Sequence, residues 1–362
     1  MKVLSICKSF FKSLVDHFPQ STCESATIAS NVPENIDPQS TSPLFNRIPA
    51  EIRNQIFELA LSAYDDKSKP YNNGSYYYRP DHRYAHKVDT NLLLTCRRIY
   101  AETKDIPASI NPYTCWFQRP PPYASKQGLT RLSTEDTVGV LVRHRGLKYV
   151  HIHTQQFWLY GSGFIQFTQL WKLPSLTHLK LTLRHSDWYW WENESGIALD
   201  PKLPGSPNGY SNASDPFAKG SWGSQLKKME SFKVFQLELE TVEKKKDELD
   251  AIVARAPGWQ FPLDGDQIMI LDESKTKRTG WLGHKLGMMF LQTLPYNWPG
   301  NRLIRYPASH SRMSEKAPFA AKERLIKDGV KFEDVELDTD LAEEQYLCYY
   351  VVTLTWNARA AQ

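Results

Sequence analysis

The clearest hydrophobic period in the chain is helical and lies in its first third. Ile52, Ile56, Leu59 and Ala60 recur at three- and four-residue spacing among Arg53, Asn54 and Gln55, which predicts one apolar helix face. Pro49 stands where that helix should start, with Glu51 in its first turn to meet the positive helix end. Thr90–Glu102 repeats the pattern, with Leu92, Leu93, Cys96, Ile99 and Tyr100 on one side, and Pro107 is expected to end it. Tyr113–Phe117 then reads as a short strand, and Arg119–Pro122 as a break.

Beyond the break the pattern changes to strands. Leu147–His153, Leu176–Thr182 and Phe232–Glu238 each read apolar-x-x-apolar-x-apolar. Leu147 and Leu176 lie one long repeat period apart, but the next gap is about twice that, across a stretch rich in Gly, Pro and Trp. A degenerate leucine-rich repeat and an ordinary sheet with crossover helices both fit. Helices are predicted at Phe164–Leu173 and at Val242–Ala256, the latter capped by Thr241 and stopped by Pro257-Gly258. Strands are predicted at Gln267–Leu271 and Tyr346–Trp356. The last is apolar on both alternations, so it belongs in the middle of a sheet. Residues 300–345 read as loop plus one helix.

The fold class is therefore α/β, with α+β left open: a helical element packed on a sheet with crossover helices. Residues 1–18 place Val3, Cys7, Phe10, Leu14 and Phe18 on one amphipathic helix face, and the Ser- and Pro-dotted residues 19–43 read as a disordered linker. Residues 44–118 hold the two helices, with an insertion at 64–89, and residues 129–362 form the α/β part, either separate from the helices or fused with them.

Composition narrows the function classes. Among 362 residues, 44 basic and 40 acidic side chains leave a net charge of only +4, so whole-chain electrostatics make no case for nucleic acid. The five cysteines are scattered without a CxxC pair, which argues against a disulfide framework or zinc knuckle and for the cytosol or nucleus. No run approaches a transmembrane span. The basic amphipathic segment at 1–18 either packs on a protein or touches a membrane surface.

Candidate chemistry is sparse. His151 and His153 stand two apart on a strand and point the same way, opposite Val150 and Ile152, and are expected to face solvent. His185-Ser186-Asp187 are too close in sequence to converge as a triad, and no GxSxG, HExxH, P-loop or GxGxxG motif occurs. Asp264-Gly265-Asp266 reads as a turn. No catalytic, cofactor-binding or metal-binding residue is nominated, and an enzyme of unrecognised class would have to centre on His151, His153, His185 and Asp187. Trp188, Trp190 and Trp191 crowd four aromatic rings with Tyr189, some for the core and the others for a recognition surface. Tyr76–Tyr84, with Arg79 and Arg83, is expected to pack on the helices as a polar loop.

Leu44–Leu61 and Thr90–Glu102 together resemble the F-box, a helical module that docks substrate adaptors onto ubiquitin ligases. They are still more similar to the F-box-like opening of a set of fungal proteins without a settled activity. Ile48-Pro49 stand at the Leu-Pro pair that opens the first F-box helix, Glu51-Ile52 and Ile56 match the positions after it, and Leu93, Cys96 and Arg97 match the later helix. The resemblance implies a non-enzymatic adaptor whose Ile48, Pro49, Ile52, Ile56 and Leu93 grip a Skp-type partner of a cullin-type ligase. The remainder of the chain would hold a ubiquitylation substrate; the alternative is that the F-box-like helices serve only the fold, as a module of the fungal set whose binding surface is the aromatic cluster of Trp188, Trp190 and Trp191. The insertion at 64–89 departs from the family pattern, and covering the docking surface is one role open to it.

Overall fold

Strand β11 (Tyr346–Ala360) runs through the middle of the molecule, flanked on one side by β6 (Val234–Val242) and on the other by β9 (Lys277–His284). The computed structural model describes residues 36–116, 147–170, 175–191, 195–203, 220–229, 231–285, 317–335, 337 and 341–360. The amphipathic segment at 1–18, the Arg119–Pro122 break and the end of the helix expected to reach Leu173 lie outside these.

Among the described residues the sheet has nine strands and the fold is α/β. From β6 outward, β5 (His178–Leu183), β4 (Tyr149–His153) and β3 (Tyr113–Trp116) are all parallel. The half around β11 is antiparallel, with β8 (Gln267–Leu271) on the far end of β11 and β7 (Phe261–Pro262) beside it. Strand β10 (Lys331–Phe332) runs parallel to β9 at the edge. The three repeat-like segments are thus β4, β5 and β6, neighbours in one parallel series, and β3 brings an earlier part of the chain into the same sheet.

One face of the sheet is apolar. Val150, Ile152, Leu179, Leu181, Phe235, Leu237, Val352 and Leu354 alternate onto it and are buried to 2% exposure or less. Helices α5 (Gln156–Tyr160), α6 (Ser162–Leu170), α7 (Lys246–Arg255) and α8 (Pro318–Lys327) bring Trp158, Phe164, Phe167, Leu249, Ile252 and Leu325 into the same core. At about 25 cal/mol per Å² of apolar area, this layer supplies most of the folding energy.

Before the sheet come α1 (Pro43–Asn46), α2 (Ala50–Leu61), α3 (Arg97–Thr103) and α4 (Ile106–Ile110). Helix α2 starts after Pro49 as expected, but its buried face is Arg53, Phe57 and Leu61. The expected single helix over 90–102 breaks into a 3₁₀ turn at Asn91–Leu94 and α3, because Cys96 turns extended and its Sγ accepts the Ile99 N–H at 3.4 Å. Pro107 sits in the first turn of α4, where a proline fits, so it opens a helix where it was expected to close one. Likewise Thr241 continues β6 opposite Tyr350, and α7 begins only at Lys246.

Several elements went unforeseen, among them the ladder of the insertion and strand β9. Within the insertion, β1 (Tyr64–Pro70) and β2 (Tyr84–Lys87) form an antiparallel ladder from mostly polar residues. Strand β9 is disguised by Gly280 and Gly283. A Cβ on Gly280 would lie 2.9 Å from the Phe332 ring and one on Gly283 2.3 Å from the Trp281 ring, so the strand needs both glycines to let those rings pass.

Candidate functional site

The second face of the sheet is charged over β4–β6. His151 and His153 on β4, Lys180, Thr182 and then Arg184 along β5, and Glu238 and Glu240 on β6 alternate onto it in register. Over them lies the loop Tyr71–His86, a strap that leaves β1 and returns through β2. Arg79 Nη1 donates to Glu238 Oε1 at 2.5 Å, Lys180 Nζ meets Glu238 Oε2 at 2.7 Å, and Thr182 Oγ1 donates to Glu238 Oε1 at 3.0 Å. His151 Nε2 shares a hydrogen bond with that same Thr182 hydroxyl at 2.8 Å. One turn along, Arg184 Nε donates to Glu240 Oε1 at 3.0 Å, and Tyr76 of the strap donates to Asp187 Oδ2 at 2.6 Å.

Most of these groups are out of water, with His151 and Lys180 half-buried, and their acidities follow. Burial alone would raise Glu238, but Arg79 and Lys180 outweigh it and hold the carboxyl well below its usual range. Burial opposes the charge on Arg79, yet Glu238, Asp81 and Glu240 raise its pKa. The histidines go the other way. Burial, with help from His86, takes His82 down to about 4. Burial lowers His151 and His153 well below their ordinary value, reinforced by Lys180 for His151 and by His151 and Arg79 for His153. His185 falls to about 3 through burial and then Lys245. His153 carries no hydrogen bond on either ring nitrogen; its ring stacks on Trp116 at 3.7 Å.

The expectation of two solvent-facing histidines is corrected for His153, and His151 is half-buried. His153 is 2% exposed, because the strap supplies a second wall where water was expected. His185 and Asp187 are also buried, in a 3₁₀ turn just past β5. His185 meets Trp191 and Tyr349, whereas Asp187 meets Tyr76 and the Arg184 backbone. The four candidates share a side of the sheet, with His153, His185 and Asp187 buried and His151 half-buried. Among the described residues, no group of His, Cys, Asp and Glu is placed to hold a metal ion. Sequence reading missed Arg79, His82, Lys180, Thr182, Arg184, Glu238 and Glu240. The signal was present in Lys180-x-Thr182-x-Arg184 and Gln236-x-Glu238-x-Glu240, polar alternations on strands too central for a solvated face.

The tryptophans divide. Trp188 is core, its indole donating to the Glu240 carbonyl at 2.9 Å, so it is unavailable to a partner. Trp191 is half-buried against the main core, and Trp190 projects from a left-handed turn (φ 56°) at 66% exposure. Among the residues implied as adaptor contacts, Leu93 is buried and cannot be gripped. Ile52 and Ile56 are 45% and 40% exposed, Leu59 beside them 79%, with Pro49 exposed and Ile48 half-buried. The strap does not cover this stripe, because its rings are spent on the sheet, where Tyr71 and Tyr78 pack with Trp281, Tyr349 and Val351.

The helical element behind the stripe is pinned. Arg53 donates to the Ile48 carbonyl at 2.9 Å and faces Glu102 at 3.5 Å, Arg98 holds Glu102 at 3.0 Å, and the Arg98 guanidinium lies 4.0 Å over Phe45. Asn111 ties the end of α2, donating to the Leu61 carbonyl at 2.8 Å and accepting from Ala63 N–H at 2.6 Å. No helix among the described residues is long and apolar enough to cross a membrane. No family model, no curated protein and no solved structure matches this chain.

Proposed function

We propose that the protein is a non-enzymatic, F-box-like adaptor in which the outer stripe of α2 docks a Skp-type partner of a cullin-type ubiquitin ligase. The observation that carries this reading is the open row Ile52, Ile56 and Leu59. Three branched aliphatic side chains at i, i+4 and i+7 form a continuous apolar strip, the form in which helices offer anchors to a groove. A helix serving the fold alone would turn its strongest stripe inward; α2 instead buries Arg53, Phe57 and Leu61. Ile48 and Pro49 lie at the head of the same stripe, as the F-box resemblance implies. The ubiquitylation substrate would fall to the α/β part, where Trp190 is the exposed ring best suited to anchor it.

The test is co-purification and titration calorimetry of the full chain with a purified Skp-type adaptor. The wild type binds. Ile52→Asp with Ile56→Asp weakens binding by about 30-fold or more, the ratio for losing one hot spot of about 2 kcal/mol. Trp190→Ala leaves adaptor binding unchanged. Absence of binding by a folded wild type overturns the proposal.

A further inference from the structure

Four histidine rings run in a row from solvent to the base of the strap. His86, exposed on β2, lies 5.0 Å from His82; His82 lies 6.1 Å from His153, and His153 4.2 Å from His151. Trp116 closes the row, stacked on His153 and edge-on to His82 at 5.5 Å. The strap is held by this packing, by the Arg79–Glu238 ion pair and by the Tyr76–Asp187 hydrogen bond.

The charges around the row leave little room for more positive charge. From the strap it is faced by Arg79, which also pairs with Asp81 at 3.1 Å, and from β1 by Asp65, 3.4 Å from His86. From β5 come Lys180 and Arg184, and from β6 Glu238 and Glu240, which already serve those cations and Arg79. Lys245 acts on His185, and Glu333, after β10, faces Asp81. Three further cations in this space would have no acid of their own.

We propose that the Tyr71–His86 strap is a proton-operated latch: His82, His151 and His153 take up protons together, and the strap lifts and uncovers the charged face of β4–β6.

The direction follows from linkage. In the closed form His82 titrates at about 4, and His151 and His153 also lie well below 6.5. Once wetted, each ring returns towards about 6.5, so the open form binds protons that the closed form refuses. The closed form is fully stable above about pH 6.5 and loses stability as pH falls from there, for His82 down to about 4. His82 alone raises the opening constant about 30-fold between about pH 7.5 and pH 5, and the two rings beneath it add to that. His185 acts with the same sign if its turn is wetted too. Glu333 opposes, since burial and Asp81 raise it and the closed form then binds its proton more tightly, but it is one group against three.

Hydrogen exchange of the full chain, corrected for intrinsic rates, tests the latch between pH 7.5 and 5. The reporters are the amides of Tyr71, Tyr78 and His82, bonded in the strap to the carbonyls of Arg83, Ser75 and Arg79, with β11 amides as the internal standard. Strap protection falls by about 30-fold or more at pH 5 while β11 stays protected, and His82→Asn with His153→Asn reduces that dependence to what His151 alone supplies. Constant strap protection across the range overturns the latch. So does loss of strap and β11 protection in step, or a folded double variant with the wild-type slope. The wild-type profile decides the matter alone if the double variant does not fold.

Discussion

The two faces of one sheet are closed in opposite ways. Under the helices, Phe235, Leu237 and Leu354 share one core with Trp158, Phe164 and Leu325, and any well-shaped apolar side chain could serve at these positions. Under the strap, Glu238 is matched to Arg79, Lys180 and Thr182 by charge and direction, so each group there depends on a named partner. Non-directional burial makes the first face stable. The second is specific, and it is conditional on the protonation of its members. A buried ion pair contributes little net stability over an apolar pair of the same shape, yet breaking one partner is costly. The strap therefore costs little to keep closed and much to close wrongly.

The sharpest way to break the contrast is to cut each face once. Phe235→Ala, on the apolar side, should cost about 3–5 kcal/mol in denaturant unfolding, with strap and sheet lost in one transition. Glu238→Ala should cost about 3 kcal/mol, because Arg79 is left buried without its main counter-charge. Its signature should be early exposure of the strap to proteolysis while β11 holds. Were both variants to unfold in one indistinguishable step, the two faces would be a single cooperative unit. Thr182→Val is the milder probe. It keeps the shape but removes the hydroxyl shared by His151 and Glu238, for about 1–2 kcal/mol by thermal or chemical melt. Smallest is Ile56→Asp on the open stripe of α2, expected within about 0.5 kcal/mol of wild type in stability, since that side chain is 40% exposed on the outer face.

The same contrast explains what could be read from the sequence. The apolar face was legible: β4, β5, β6, β8 and the two-sided β11 announce themselves through alternating apolar residues. The start of α2 is equally plain from Pro49 and Glu51. The charged face was not, because histidines and carboxylates on alternate strand positions look the same whether water or a strap lies above them. Only the distant residues Tyr76, Arg79 and His82 decide the matter. The strap's place is a long-range fact, set by pairs such as Arg79 with Glu238, 159 positions apart. Strand β9 was hidden for a local reason, since Gly280 and Gly283 suppress the β-propensity signal where rings cross them. On α2 the periodicity was right, but by itself it left open whether the row turned in or out. The regular aliphatic row faces out, and Arg53, Phe57 and Leu61 do the packing.

Strand β3 follows α4 after only two residues and lies at the rim of the sheet, paired to β4 alone. Helices α1–α4 are thus joined to the body by hydrogen-bonded backbone and not by a swivel, and a partner of the proposed kind seated on α2 would hold the whole sheet at a set angle. A fragment trimmed to begin at residue 147 would bare the flank of β4 as an open row of amides and carbonyls, ready to pair with its own copies.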